Sequence, residues 1–239
     1  MALTDSAITS IKDMILGGQL RAGERLPPEK ALAERLGLSR NSLREAVKSL
    51  SVMGVLDVRR GDGTYVTSLE PRLLLEAAGF VAELHDDRSL LEIFEVRRVL
   101  EAHSAACAAR RATTSVVEGL AAELDSVAED ADVETLVEHD LRFHRAVADA
   151  AGNGYLSGLL DTLSPATVRA RTWRGLGETG AVARTLAEHR SILEALRRGD
   201  PDVARAAMTL HIDGVQTWLA AAAGRTDESS TVSSHPQES

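Results

Sequence analysis

Hydrophobic positions follow one rule up to about residue 67 and another beyond it. Ile8, Ile11 and Ile15 keep the 3-then-4 spacing of an amphipathic stripe and predict a helix over 5–17. Thr4, Asp5 or Ser6 is placed to cap it, and Gly17-Gly18 to end it. LRAGERLPPE reads as a loop whose prolines stand where a second helix, about 29–36, begins; Gly37 stops it. Ser39 caps a third helix from Arg40 to Met53, with Leu43, Val47 and Leu50 on its apolar stripe. VLDVRR and TYVTS then read as two short strands around the turn GDGT. Three helices and a hairpin within 67 residues make a winged helix-turn-helix layout. After the polar connector TSLEPR every periodic segment is helical: 71–84, 88–111, 114–129, 131–151, 155–174, 179–198 and 201–223. The predicted fold is mainly α, a winged helix-turn-helix (1–68) followed by an all-α antiparallel bundle of six to seven helices (69–223). The polar tail 224–239 is expected to be disordered.

Composition changes this picture in two places. Aromatic residues make up only 3% of the chain, so the cores must be built from Ala, Leu, Val and Ile. The net charge of −9 argues against a nucleic-acid partner until the chain is divided. Residues 1–67 hold ten Lys and Arg against eight Asp and Glu, whereas the rest holds 17 Arg against 28 acids, and every lysine lies at or before Lys48. Phosphate affinity depends on the local basic face, here Arg40, Arg44, Lys48, Arg59 and Arg60. No apolar run of membrane-spanning length occurs, and the N-terminus lacks the basic-then-apolar pattern of a signal peptide. The single cysteine, Cys107, excludes an intrachain disulfide, reads as a small buried residue, and fits a cytoplasmic location.

A recognition helix enters the major groove N-terminus first, and here that first turn carries Arg40, Asn41, Ser42 and Arg44. Arg40 and Arg44, four apart, project from one face, and guanidinium pairs bidentately with guanine. The alternative is a protein-binding winged helix whose arginines are solvated charge. The run GERLPPEKALAERLGLSRNSLREAVKSLSVMGVLDVRRGDGTYV resembles the GntR family of regulators. That resemblance implies operator binding, with Lys30 contacting backbone or base and Arg60 and Gly61 at the wing tip approaching the minor groove. Pro28, where the family has Ser or Ala, alters only the helix cap. One such module reads few base pairs, so a homodimer on a palindromic operator is expected.

In the helical half, three apolar stripes are interrupted by polar side chains. Asp140 and His144 fall in the stripe of 131–151, His189 in that of 179–198, and His211 in that of 201–223. Unpaired buried polar groups are costly, so these four should meet one another or a ligand. One carboxylate and three imidazoles form a plausible divalent metal set; satisfied core histidines are the bland alternative. Glu188 points about 100° away from His189 and is not counted as a ligand. His85, His103, His139 and His235 lie outside these patterns. Arg97 shares a stripe with Ile93, Leu100, Ser104 and Cys107 and should point inward. It either pairs internally, with Asp140 or Glu101, or anchors an acidic effector. Arg169 and Arg171 are further candidates to line the cavity. EVRRVLE, DLRFHRAVADAAGN, EHRSILEAL and MTLHIDG resemble the FadR-type (FCD) ligand domain of the same family. This implies a bound metal, zinc first and nickel or manganese next, and a small organic acid as effector.

These readings describe a transcription regulator, in the form of a repressor, that is not an enzyme. A regulator whose effector is the metal itself is one rival. A metalloenzyme fused to a winged helix is the other, but HExxH, the Glu-x-x-His of di-iron bundles, a phosphate loop and Gly-x-Ser-x-Gly are all missing.

Overall fold

The computed structural model describes residues 2–70 and 87–232. The expected helix over 71–84, His85 and His235 lie outside the described residues. The chain divides into two compact units, Met1–Ala77 and Ala78–Ser239, a division later than the 68/69 boundary expected from sequence.

The first unit contains α1 (Ala2–Leu16), α2 (Glu29–Leu36), α3 (Arg40–Val52), β1 (Leu56–Arg59) and β2 (Gly63–Val66). Its boundaries follow from local chemistry. Pro28 occupies the N-cap of α2 with no side-chain cap bond, and Gly37 ends that helix in the left-handed region. Ser39 accepts a hydrogen bond from the Ser42 N–H at 3.0 Å and so starts α3. The strands pair antiparallel with Leu56 opposite Val66 and Arg59 opposite Gly63. The turn takes its positive φ at Gly61 and Gly63, on either side of Asp62. Ile11, Leu32, Leu43, Leu56 and Val66 are buried in one core, which turns Arg40, Asn41 and Arg44 outward.

The second unit is helical throughout its described residues: α4 (Asp87–Arg111), α5 (Thr114–Asp125), α6 (Val133–Ala150), α7 (Gly154–Gly177), α8 (Ala181–Arg198) and α9 (Pro201–Val232). Thr113, Asp132 and Asn153 cap α5, α6 and α7 with side-chain oxygens, and Gly199 closes α8 in the left-handed region. The core is rich in Ala, Leu, Ile and Val, as the composition requires, with Phe94 and Phe143 as large fully buried additions. Buried alanines at 105, 108, 170, 195 and 204 permit close helix approach, and α4 packs against α6, α7, α8 and α9. The last helix continues to Val232, so residues 224–232 are helical where a disordered tail was expected. A polar run carries no stop signal of its own, and the first proline after Pro201 is Pro236. No helix of the described residues is long and apolar enough to cross a membrane.

Candidate functional site

Two sites emerge, one in each unit. In the first, Lys30, Arg40, Asn41, Arg44, Arg60 and Gly61 are all exposed. Ser42 is half-buried, its hydroxyl 2.8 Å from that of Ser39, so it serves the cap of α3 as well as the surface. Arg44 Nη2 lies 3.3 Å from Glu29 Oε2, an exposed pair of little strength that leaves the guanidinium available. The wing is braced from below: Arg25 donates to the Asp62 carbonyl, Tyr65 donates to the Asp62 carboxylate at 2.9 Å, and the Arg59 guanidinium sits over the Tyr65 ring. An open groove of about 410 Å³ runs between α2, α3 and the hairpin, with Glu29, Val47, Arg59 and Arg60 among its walls.

In the second unit α6, α8 and α9 bring Asp140, His144, His189 and His211 together, all buried. One donor atom from each lies within 4.8 Å of the others. His144 Nε2 and His189 Nε2 stand 3.0 and 3.3 Å from His211 Nε2. Asp140 Oδ1 is 3.5, 3.4 and 3.7 Å from the three Nε2 atoms of His144, His189 and His211. A tetrahedral ion with bonds of about 2.0–2.1 Å would space its ligands by about 3.3 Å, in the middle of this range.

The outer face of each imidazole fixes what the inner face can do. His144 Nδ1 donates to Glu101 Oε2, and His211 Nδ1 donates to Glu188 Oε2 at 2.7 Å. A carboxylate only accepts, so the neutral rings turn Nε2 lone pairs toward one another. Lone pairs face to face at 3.0 Å require a positive charge between them, a metal ion or a proton. Burial alone would raise the Asp140 carboxyl, but Arg171 and His144 outweigh it and hold it well below the usual carboxylate range. Burial pushes His189 and His211 down, whereas at His144 the Glu101 and Asp140 carboxylates overcome burial and raise it. The donor set therefore fits a divalent cation: an ionised carboxylate, three correctly oriented rings and a dry shell.

Comparison with known proteins assigns a family to each unit. Residues 3–66 match the family model of bacterial regulatory proteins, gntR family, and residues 92–214 match the FCD domain. The chain belongs to the GntR family. It is 32% identical to the HTH-type transcriptional regulator LutR of Bacillus subtilis (strain 168), over 86% of this chain and 96% of LutR. It is also 32% identical to the galactonate operon transcriptional repressor of Escherichia coli (strain K12), over 87% and 93% of the two chains. Among solved structures, a Streptococcus agalactiae GntR protein superimposes with a TM-score of 0.69 at 28% identity, over 90% of this chain and 99% of that one. With an FCD domain behind its helix-turn-helix, the protein is a FadR-like GntR regulator. Such relatives are named as transcription regulators, not enzymes, which removes the metalloenzyme reading.

The remaining predicted residues of this GntR regulator divide by their surroundings. Arg97 is buried with its Nε 2.6 Å from Glu101 Oε1 and its Nη1 2.5 Å from the Thr167 hydroxyl, so it has the internal partner that the sequence offered as one alternative. Arg169 is exposed, with its guanidinium over the Trp173 ring. Arg171 reaches the quartet: its Nε lies 2.5 Å from Asp140 Oδ2. Yet Asp140 Oδ2 and Arg171 Nη1 are both buried without a hydrogen-bond partner. A cavity of about 20 Å³ adjoins them, with Arg174 and Thr185 also in its wall. Sequence reasoning missed Arg174, buried and paired with Glu178 at 2.6 Å, and the outer residues Glu188 and His139. Cys107 is half-buried, 3.5 Å from His103 Nε2, more open than its alanine-rich setting suggested.

Proposed function

We propose that this protein is a homodimeric repressor of a metabolic operon, working in the cytoplasm on a palindromic operator and controlled by a small organic acid. Asp140, His144, His189 and His211 hold one divalent metal per subunit, zinc by first choice and nickel or manganese next. When bound, the metal would supply a Lewis-acidic anchor for an exogenous carboxylate oxygen and Arg171 the guanidinium beside it, with Arg97 behind Glu101 in the same charged cluster. The observation that carries this reading is the buried quartet with its outer nitrogens tied off. The sugar acid in the name of the galactonate operon repressor supports a hydroxy-carboxylate class for the effector.

The small cavity favours a second reading. About 20 Å³ accommodates a water-sized group rather than an organic acid, so either an acid opens the site on entry or the metal itself is the effector. An effector acts only if it binds two arrangements of the protein unequally, and a ligand that must open its own site meets that condition. Titration of DNA binding with zinc, in the presence and absence of hydroxy acids, separates the two: acid-dependent release supports the first, release by zinc alone the second.

The DNA face is tested on a duplex selected from a random pool. Arg40→Ala is expected to weaken binding to that duplex by about 1–3 kcal/mol and to relax preference at one position in each half-site. Lys30→Ala should weaken all sequences evenly and reduce the salt slope by about 1. Equal losses for Arg40→Ala on selected and random DNA would remove its base-reading role. Light scattering of the complex is expected to give two chains per duplex; a single chain would overturn the homodimer.

A further inference from the structure

His144 and His211 are each oriented by a carboxylate, but His189 is not. Its Nδ1 meets another imidazole, His139 Nε2, at 3.0 Å. A pair of neutral rings leaves the direction of that bond open, since either nitrogen can donate. The next residue outward decides it. His139 Nδ1 lies 3.1 Å from Glu123 Oε1, an oxygen that also accepts from Arg142 Nε at 2.9 Å. Glu123 can only accept, so His139 carries its single proton on Nδ1 and presents a lone pair at Nε2. His189 must then donate from Nδ1, which leaves its Nε2 lone pair facing Asp140 Oδ1 at 3.4 Å. Phe143 stacks on the His189 ring at 4.0 Å with an interplanar angle of 8° and holds its plane.

We propose that His139 is a positioning residue for the metal centre, accepting the His189 Nδ1–H and so fixing the tautomer that offers Nε2 inward. The proposal rests on the quartet being a metal site. The chain Glu123–His139–His189 does for one ligand what Glu101 and Glu188 do directly for the other two, and it crosses from α5 through α6 to α8. His139 itself is fully buried, and no other described side chain supplies an acceptor to His189 Nδ1. Outer partners of metal-bound histidines set ring orientation and basicity, and their loss typically weakens metal binding by about 10–100-fold.

The test uses the full chain and zinc alone, competed against a chromophoric chelator. His139→Phe keeps a ring but removes the acceptor, and is expected to weaken zinc binding by about 10–100-fold. His139→Gln, whose amide can accept from His189 and donate to Glu123, should restore most of that loss. In a His189→Ala background His139→Phe should change zinc affinity no further, because the residue acts through His189. Nitrogen-15 spectra of histidine-labelled, metal-free wild type should show His139 and His189 both protonated at Nδ1, a readout that stands even if the Phe variant does not fold. Unchanged affinity in folded His139→Phe, an equal loss in the His189→Ala background, or an Nε2–H His139 would each overturn the proposal. Absence of zinc uptake by wild type would instead overturn the metal site itself, and the positioning role with it.

Discussion

Replacing His211 by Ala is expected to remove bound zinc and to cancel the rise in melting temperature that zinc gives the wild type. His211 is buried at the meeting point of the quartet, within 3.0–3.7 Å of the other three donor atoms. Its loss leaves two imidazoles and one carboxylate and also unpairs Glu188, whose Oε2 now accepts from His211 Nδ1 at 2.7 Å. Glu188 is partly exposed, so water can take the place of that donor, and the metal-free variant should stay folded. The effect comes from mass action. At a zinc concentration about 100-fold above the dissociation constant, wild type gains about 2.7 kcal/mol, and the variant gains almost none of it. The first unit has its own core, so its helix content and intrinsic DNA affinity should survive the change. Elemental analysis and calorimetry with and without zinc check this. Retention of one zinc per chain would sink the assignment of His211 as a ligand.

The four quartet residues were legible because each interrupts an apolar stripe, and a polar break in a buried face must be explained by something it meets. His139 was equally legible in principle. Leu136, His139, Phe143 and Val147 follow 3-4-4 spacing and form a second line on the buried face of α6 beside the one that holds Asp140 and His144. The stripe that holds Asp140 and His144 is one edge of a buried face that is wider than one line. Glu188 shows a different limit. Its angle from His189 sets it apart from that residue, but periodicity within α8 does not reveal that it reaches His211 on α9. Contacts between helices depend on crossing geometry, which a one-dimensional pattern does not encode. The DNA-binding unit was more readable because its boundaries are set by caps, turns and glycines that act within a few residues. Even there, the placement of positive φ at Gly61 and Gly63, on either side of Asp62, was resolved only by the strand register.

Changing Arg171 to Lys is expected to reduce affinity for the acid effector by about 10–100-fold while leaving zinc content near wild type. Arg171 is buried, and burial, helped by the neighbouring Arg97, lowers its pKa to about 10, which still leaves it charged at neutral pH. Its Nη1 has no hydrogen-bond partner, although a buried donor without an acceptor is costly. An acid that opens the adjoining cavity would provide the missing acceptor, and a carboxylate accepts paired hydrogen bonds from the planar guanidinium fork. Lysine keeps a positive charge near Asp140 but removes that fork, so the loss should amount to about 1.5–3 kcal/mol, the worth of a hydrogen bond to a charged group. Arg97 does not offer so clean a test. Its guanidinium is committed to Glu101 and Thr167, and Glu101 in turn holds His144, so Arg97→Ala should disturb the metal and the effector together. The measurement is calorimetry on zinc-loaded protein with a hydroxy acid chosen by its thermal shift on the wild type. Equal affinity for wild type and Arg171→Lys would show that Arg171 serves only Asp140, and the acid would then have to bind without it.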